Sequence, residues 1–463
     1  MGSIVVCGGS VIGLTTAMLL ADEGHTVTVL ESDPAAPPAD PASAWDEWER
    51  VGVPQFHQPH NLFPRAMQVL DAELPHITVA LEASGGTVVD PVANLPPSIV
   101  DREPRPGDER FRFVTGRRPF IEAVYANAAA GHPGVAVERG VKARGLLTAD
   151  APADCPRVVG VVLDDGTERR ADLVVDAMGR RSPLVDWLGE LGAPEVPVES
   201  QDRGFAYYTR YYRGPEPPAP RGPAMSPMGS ISILTLFGDN GTWGVTVFGS
   251  SNDRVLHGLK DADRFTAVLA TCPLQAHWTH GDPITGVLPM AGVLDKLRHY
   301  VVDGRPAATG VVSVGDAWAC TNPSAGRGIS VGHVHAQRLR DAVREGLGDL
   351  DALALRFDAL TERDVTPFFR AQMQMDAARI AEIDAARDGL EPPPRDDRSR
   401  AMGVALALDP DVFRASIEMV TCLALPDEVF ARPGFLDKVM AHADQQPTPM
   451  PGPDRTQLVE LLT

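Results

Sequence analysis

Lysine is scarce in this chain. Only four of its 42 basic residues are Lys, against 62 acidic residues, which gives a formal charge of −20 over 463 residues. That balance excludes a nucleic-acid backbone or an anionic membrane as the main partner, since both need a basic face. It still allows a local arginine cluster around an anionic ligand. The five cysteines are scattered with no CxxC pair, so neither a zinc site nor a disulfide framework is indicated, and the odd count fits a reducing compartment. No run approaches the roughly 18 apolar residues of a membrane-spanning helix. No basic region precedes the apolar run Ile4–Val6, so no leader peptide is expected and a cytoplasmic location is. Aromatic residues make up 6%, and of six tyrosines four lie between Tyr207 and Tyr212. The 44% hydrophobic content excludes wholesale disorder.

What is present reads as alternating structure. The apolar run Ile4–Cys7 ends in Gly8-Gly9-Ser10; Val11–Glu23 has helical spacing, and Thr26–Leu30 alternates like a strand. Strand, glycine turn, helix and strand form a βαβ unit. Val158–Leu163 and Glu168–Asp172 flank an Asp-Asp-Gly turn and predict a hairpin, and Leu173–Ala177 reads as a buried strand. From Arg203 the pattern turns to β. Strands are predicted at Phe205–Arg213, Gly229–Phe237 and Thr242–Ser250, the last two joined by Asn240-Gly241, a hairpin signal. The six prolines of Arg213–Gly229 read either as a stiff surface connection or as a cover over an active site. Val311–Val314 returns to a strand and Ile329–Arg344 to a helix. Beyond Leu350 the pattern is mostly helical, interrupted at Glu391–Arg400.

Gly8-Gly9-Ser10-Val11-Ile12-Gly13 lies where a dinucleotide fingerprint belongs. Small residues there allow a tight turn, close approach of a pyrophosphate and close strand–helix packing. The helix N-terminus then receives the anion. Ser10 replaces the middle glycine, and its hydroxyl can donate to a phosphate. Glu31 ends the second strand 18 residues after Gly13, where a carboxylate binds ribose hydroxyls. These two signals do not separate NAD from FAD. A second motif, Gly315-Asp316-Ala317, ends the strand Val311–Val314 and is followed by Pro323-Ser324-Ala325-Gly326-Arg327-Gly328.

The ordered set resembles the p-hydroxybenzoate-hydroxylase-like FAD-dependent monooxygenases. The resemblance implies that Asp316 binds the flavin ribityl chain, and that Gly315, Pro323, Gly326, Arg327, Gly328 and Ile329 belong to the turn along the flavin ring. A helix N-terminus there stabilises negative charge on reduced flavin by roughly 0.3–2 kcal/mol. Asp172–Ser182 resembles the family's Asp-Gly motif around Gly179, with Met178 in place of the Asp. In that respect the run is similar to the bacterial FAD epoxidases of polyether pathways, which also share the look of Gly52–Gln55 with His57 and His60, of Phe205–Pro215 and of Leu297–Tyr300. The resemblance further places Arg50, Arg117 and the backbone of Val141 at FAD. It marks His57 and His60 as candidate residues near the flavin and sets Tyr207, Tyr208, Arg210 and Tyr211 on the strand that walls the substrate site. A strand puts Tyr207, Thr209 and Tyr211 on one face and Tyr208, Arg210 and Tyr212 on the other. Which face is inward stays open, and Arg210 would bind a substrate carboxylate if its own face is.

The implied fold is α/β: a Rossmann-type, three-layer FAD-binding domain with an inserted β-sheet substrate domain and a C-terminal helical segment. The boundaries read as 1–195 and 301–345 for the FAD-binding domain, 196–300 for the insert (with parts of 75–115), and 346–463 for the helical segment. The implied activity is monooxygenation of an organic small molecule, by epoxidation or hydroxylation through a flavin C4a-hydroperoxide, in specialised metabolism. FAD is the expected cofactor and O2 the co-substrate. NAD(P)H serves directly or through a separate flavin reductase, the second favoured by Met178. Epoxidation needs no base. Phenol hydroxylation usually wants one; the catalytic candidates for it are His57, His60 or a Tyr of the 207–212 strand, and none stands out. The alternative is another flavin oxidoreductase of the superfamily: a reductase, a dehydrogenase or a halogenase. The Trp-x-Trp-x-Ile-Pro segment of halogenases is absent, since Trp45 and Trp48 are spaced differently. His57/His60 and His277/His280 lack carboxylates at metal-ligand spacing, so no metal is expected.

Overall fold

The structure is a computed structural model describing residues 1–149 and 155–463. At its centre lies a five-stranded parallel sheet in the order Val311–Ser313, Leu173–Asp176, Ser3–Cys7, Thr26–Glu31, Val135–Arg139. The strands are short and rich in valine, as expected where both faces are covered. Side-chain alternation divides them between two cores. Ile4, Val6, Val27, Val29, Leu173 and Val175 pack against the helices Val11–Asp22 and Gly328–Arg344. Val5, Cys7, Leu30 and Val174 pack on a three-stranded antiparallel meander, Ala143–Thr148, Val158–Leu163 and Glu168–Arg170, on the opposite face. Three layers result: helices, parallel sheet, meander. The chain leaves Ser3–Cys7 toward Thr26–Glu31 on one side and pairs with the later strand Leu173–Asp176 on the other. A crevice for ligands therefore lies outside the C-terminal end of the first strand, at Gly8.

A second sheet runs antiparallel in the order Met225–Met228, Ile231–Phe237, Thr242–Ser250, Phe205–Arg213, Asp282–Pro283, with Leu288–Ala291 also paired to Phe205–Arg213. Its tight hairpin uses Asn240 and Gly241 at φ +50° and +70°, the two left-handed residues that a right-handed strand twist favours. The proline-rich connection ends in a strand that sequence reading missed, Met225–Met228. Pro227 is tolerated there because that strand is at the sheet edge.

The C-terminal part is helical: Leu350–Asp364, then Thr366–Asp388, then four short helices between Asp397 and Met440 with a small core of their own. The expected interruption is shorter than read, because Asp396 caps a helix that resumes at Asp397. The last helix, Arg455–Leu462, returns to the second sheet, where Leu458 and Leu462 join the core under Ala262–Ala270.

Candidate functional site

The glycine turn is built for close approach. Gly8 sits at φ +113°, and a Cβ on it would collide with the Ala177 carbonyl. A Cβ on Gly13 would collide with the Gly8 carbonyl, so strand and helix can meet only without side chains there. A Cβ on Gly9 would lie 2.9 Å from the Glu31 carboxylate. The helix then begins at Val11, and no side chain caps its first turn, which leaves the N-terminal N–H groups for an anion. Glu31 is buried; it accepts from the Gly9 N–H at 2.9 Å and from the Asp33 N–H at 2.8 Å. Val141 lies beside it, its N–H donating to the Glu31 carbonyl at 3.1 Å.

The arginines are more committed than their number suggests. Arg50 is buried among Glu31, Asp33 at 3.3 Å and Glu122 at 2.7 Å. Arg117 pairs with buried Asp239 through Nε at 2.9 Å and Nη2 at 2.7 Å, and its guanidinium lies over Trp45. Arg327 donates to the Val420 and Met419 carbonyls at 3.0 and 3.1 Å, so its side chain anchors a C-terminal helix. Arg50 reaches the glycine turn through the Gly9 carbonyl at 3.2 Å, and Arg118, which sequence reading passed over, also reaches it. Its Nη2 donates to Ser10 Oγ at 2.9 Å and its Nε to Glu122 at 2.7 Å, while Ser10 donates to Glu122 at 2.5 Å. The Arg118–Glu122 spacing of four on a helix was the signal that marked the pair. Burial opposes the Glu122 charge, but Arg118 and Arg50 hold its pKa below the ordinary value.

The late motif meets the first one directly. Gly315 adopts φ +59°, and a Cβ on it would press on Ile12 at 3.1 Å. Gly332 of the return helix packs against the same Ile12 side chain. The Asp316 carboxyl is half-buried, and among the described residues no group donates a hydrogen bond to it. Burial pushes its pKa up, opposed by Arg118, Arg180 and Arg298. Arg298 ties this turn to the Gly179 turn, donating to the Ala317 carbonyl at 2.9 Å and the Arg180 carbonyl at 3.1 Å. Asp176, ahead of Met178, is buried and accepts from the Met178 N–H and the Ser182 hydroxyl, holding the Gly179 turn in shape. Pro323 opens a short turn, Gly326 takes φ +68°, and the helix Gly328–Arg344 starts with no side-chain cap while Ile329 is buried behind it. A narrow cleft lies between Asp316, Thr321 and Gly328 on one side and Phe368, Phe369 and Gln372 on the other.

These groups fit a flavin dinucleotide. The glycine cradle leaves no room for a side chain, both motif helices have open N-termini, and Asp316 has acceptor capacity free for hydroxyls.

The tyrosine strand resolves its two faces. Tyr207 donates to Asn322 Oδ1 and stacks on Phe248; Thr209 donates to Gln58 at 3.3 Å; Tyr211 packs against Trp45. This face looks toward the dinucleotide motifs. Tyr208 and Tyr212 lie in the opposite core, and Arg210 donates to the carbonyls of Thr285 and Ala262. Tyr208 and Arg210 are thereby corrected out of the substrate wall, because the helix Ala262–Ala270 covers their face. His60 is held near pKa 3 by burial, with Nδ1–H donating to the Gln58 carbonyl at 2.8 Å, and His57 is lowered by burial between Trp45 and Phe56. Both imidazoles are therefore neutral near pH 7. Among the described residues no cluster of His, Cys, Asp and Glu could hold a metal ion.

Solved structures that share this fold include flavin enzymes. Pseudomonas aeruginosa PqsL, described as a probable FAD-dependent monooxygenase, aligns over 83% of this chain and 96% of its own with a TM-score of 0.57 at 16% identity. The flavin-dependent brominase Bmp2 aligns over 96% and 98% with a TM-score of 0.59 at 14% identity. Protein Rv3254 of Mycobacterium tuberculosis H37Rv is 28% identical over 369 residues, 73% of this chain and 72% of its own. No protein-family model matches the chain.

Proposed function

We propose that the chain is an FAD-dependent monooxygenase that inserts one oxygen atom of O2 into an organic small molecule, by epoxidation or hydroxylation. One observation carries this reading. Two turns about 300 residues apart meet at Ile12 and Gly315 beside an Asp316 carboxylate that accepts no hydrogen bond from the described residues. Bound FAD would supply the oxygen-activating redox chemistry, which no side chain supplies. The chain's own residues bind and orient. Gly8–Gly13, the open helix start and Arg118 receive the pyrophosphate, Glu31 the ribose, and Asp316 the ribityl hydroxyls. The open N-terminus at Gly328 favours negative charge on the ring. Tyr207, Tyr211, Trp45 and Phe248 make an aromatic wall that excludes water. Residues 1–195 with 301–345 act as the FAD-binding part and 196–300 as the substrate part, with 346–463 as the helical segment.

Met178 supports supply of electrons by a separate flavin reductase. The scattered cysteines, with no CxxC pair, support a cytoplasmic location. Among the described residues no helix is long and apolar enough to cross a membrane.

The test is reconstitution. The purified chain takes up FAD and turns yellow. After reduction and rapid mixing with O2, the flavin reoxidises through a transient absorbance unlike either the oxidised or the reduced form. A chain that stays colourless with FAD refutes the reading, and single-step reoxidation leaves a flavoprotein that is not a monooxygenase.

A further inference from the structure

The Gly315 turn is held from behind by a buried histidine. His335 lies on the helix Gly328–Arg344, one turn after Gly332, and is 1% exposed. The Gly315 N–H donates to its Nδ1 at 3.2 Å. Its ring stacks on Phe357 at 4.9 Å between centroids and meets Trp318 edge-on at 4.7 Å. Trp318 closes the same turn, its N–H donating to the Gly315 carbonyl at 2.9 Å. On the far side of the ring, Nε2 lies 3.2 Å from the Thr361 hydroxyl, and that hydroxyl donates to the Phe357 carbonyl at 2.8 Å. Phe357 and Thr361 are four residues apart on the helix Leu350–Asp364 and share the face that meets the imidazole.

This pattern leaves one arrangement of protons. An Nδ1 that accepts from Gly315 carries no proton, so the neutral ring carries it on Nε2. Nε2–H then donates to Thr361, whose own proton goes to the Phe357 carbonyl. An imidazolium would instead point a second N–H at the Gly315 N–H. Burial lowers the His335 pKa to about 3, so the ring is neutral near pH 7. Among the described residues the Gly315 N–H has no other acceptor.

We propose that His335 is a positioning residue for the cofactor: its Nε2–H tautomer fixes the left-handed Gly315, and with it the Asp316 carboxyl that receives the ribityl chain, while Thr361 sets that tautomer from the C-terminal helical segment. The inference rests on the flavoenzyme reading above. His335 moves no proton and acts through Gly315. Thr361 acts one step further back, through His335.

The test measures the tautomer directly, with FAD affinity beside it. In FAD-loaded wild type with 15N-labelled histidine, the His335 ring signals are assigned as those missing from His335→Gln. They should show an unprotonated Nδ1 and a protonated Nε2 near neutral pH. His335→Phe keeps a ring between Trp318 and Phe357 but offers no acceptor, and should raise the FAD Kd about tenfold, the upper end for one hydrogen bond. His335→Gln, whose amide both accepts and donates, should return to within about threefold of wild type. Thr361→Val should weaken FAD binding several-fold, and Thr361→Ser should not. Should His335→Phe fail to fold, the Thr361 pair decides. A proton on Nδ1, or FAD affinity within about twofold of wild type in both His335→Phe and Thr361→Val, overturns the positioning role and leaves the flavoenzyme reading standing. A wild type that takes up no FAD overturns both.

Discussion

Arg50→Met isolates the electrostatics under the glycine turn. Arg50 is 4% exposed and is the cation shared by Glu31, Asp33 and Glu122; it also donates to the Gly9 carbonyl at 3.2 Å. Methionine fills much of the volume and removes the charge. Glu122 keeps Arg118, whereas Glu31 keeps only backbone donors and the neighbouring Ser32 hydroxyl. Removing one partner of a buried ion pair costs about 3–5 kcal/mol, because the other charge stays in a low-dielectric site. At about 2 °C per kcal/mol, suited to a large domain, this is a drop of roughly 6–10 °C in Tm. The assay is urea and thermal unfolding followed by Trp fluorescence and far-UV circular dichroism, with FAD uptake measured in parallel. The double variant Arg50→Met/Glu122→Gln should recover at least about 1 kcal/mol, the scale of coupling between contacting groups. The sign of the pH dependence follows from Glu122. Its folded pKa is below its ordinary value of 4.5, so its stabilisation is present above that value and lost as pH falls through the folded pKa. Without Arg50 the acid loss should begin at higher pH. An Arg50→Met protein less than about 1 kcal/mol destabilised, with no gain from the second substitution, refutes the idea that this network is held by charge pairing.

Gly13→Ala should abolish visible FAD uptake and destabilise the fold by about 1–3 kcal/mol, because its Cβ collides with the Gly8 carbonyl; wild-type FAD binding by absorbance titration would refute the cradle. Asp376→Asn should alter the pH dependence of stability. With the folded pKa raised from 3.8 to about 6, the stabilisation by the bound proton is fully present below 3.8 and lost as pH rises through about 6. The wild type should therefore fall by about 3 kcal/mol relative to the Asn variant between acid and neutral pH in urea unfolding. Arg210→Met, on the covered face, should leave FAD affinity and flavin reoxidation within about twofold of wild type, as a substitution far from the site does. Tyr207→Phe, on the opposite face, should alter the flavin absorbance envelope, because it removes the donor to Asn322 beside the ring turn; an unchanged spectrum would place that face away from the flavin.

Local chemistry made much of the site legible. Gly8–Gly13 and Asn240-Gly241 are positions where only small or left-handed residues serve, so their spacing announces a turn. The valine-rich strands and the helical spacing after Gly13 gave the βαβ unit to within a residue or two. The edge strand Met225–Met228 was hidden by its proline, since local preference argues against a strand and only pairing with Ile231–Phe237 creates one. Asp376 carried no signal at all. It is one of several charged residues on an ordinary-looking helix, and burial beside Ser324 alone distinguishes it.

The sequence by itself determined the glycine cradle, the Glu31 and Asp316 carboxylates and the division of the tyrosine strand into two faces, because each depends on neighbours within a turn or a strand. Tertiary structure decided what each face packs against: Gln58, Trp45 and Asn322 on one, the helix Ala262–Ala270 on the other. It likewise decided where each of two neighbouring arginines goes. Adjacent Arg117 and Arg118 are indistinguishable in one dimension, and the fold sends one to Asp239 and the other to Ser10, because each buried guanidinium goes to the nearest carboxylate that can neutralise it.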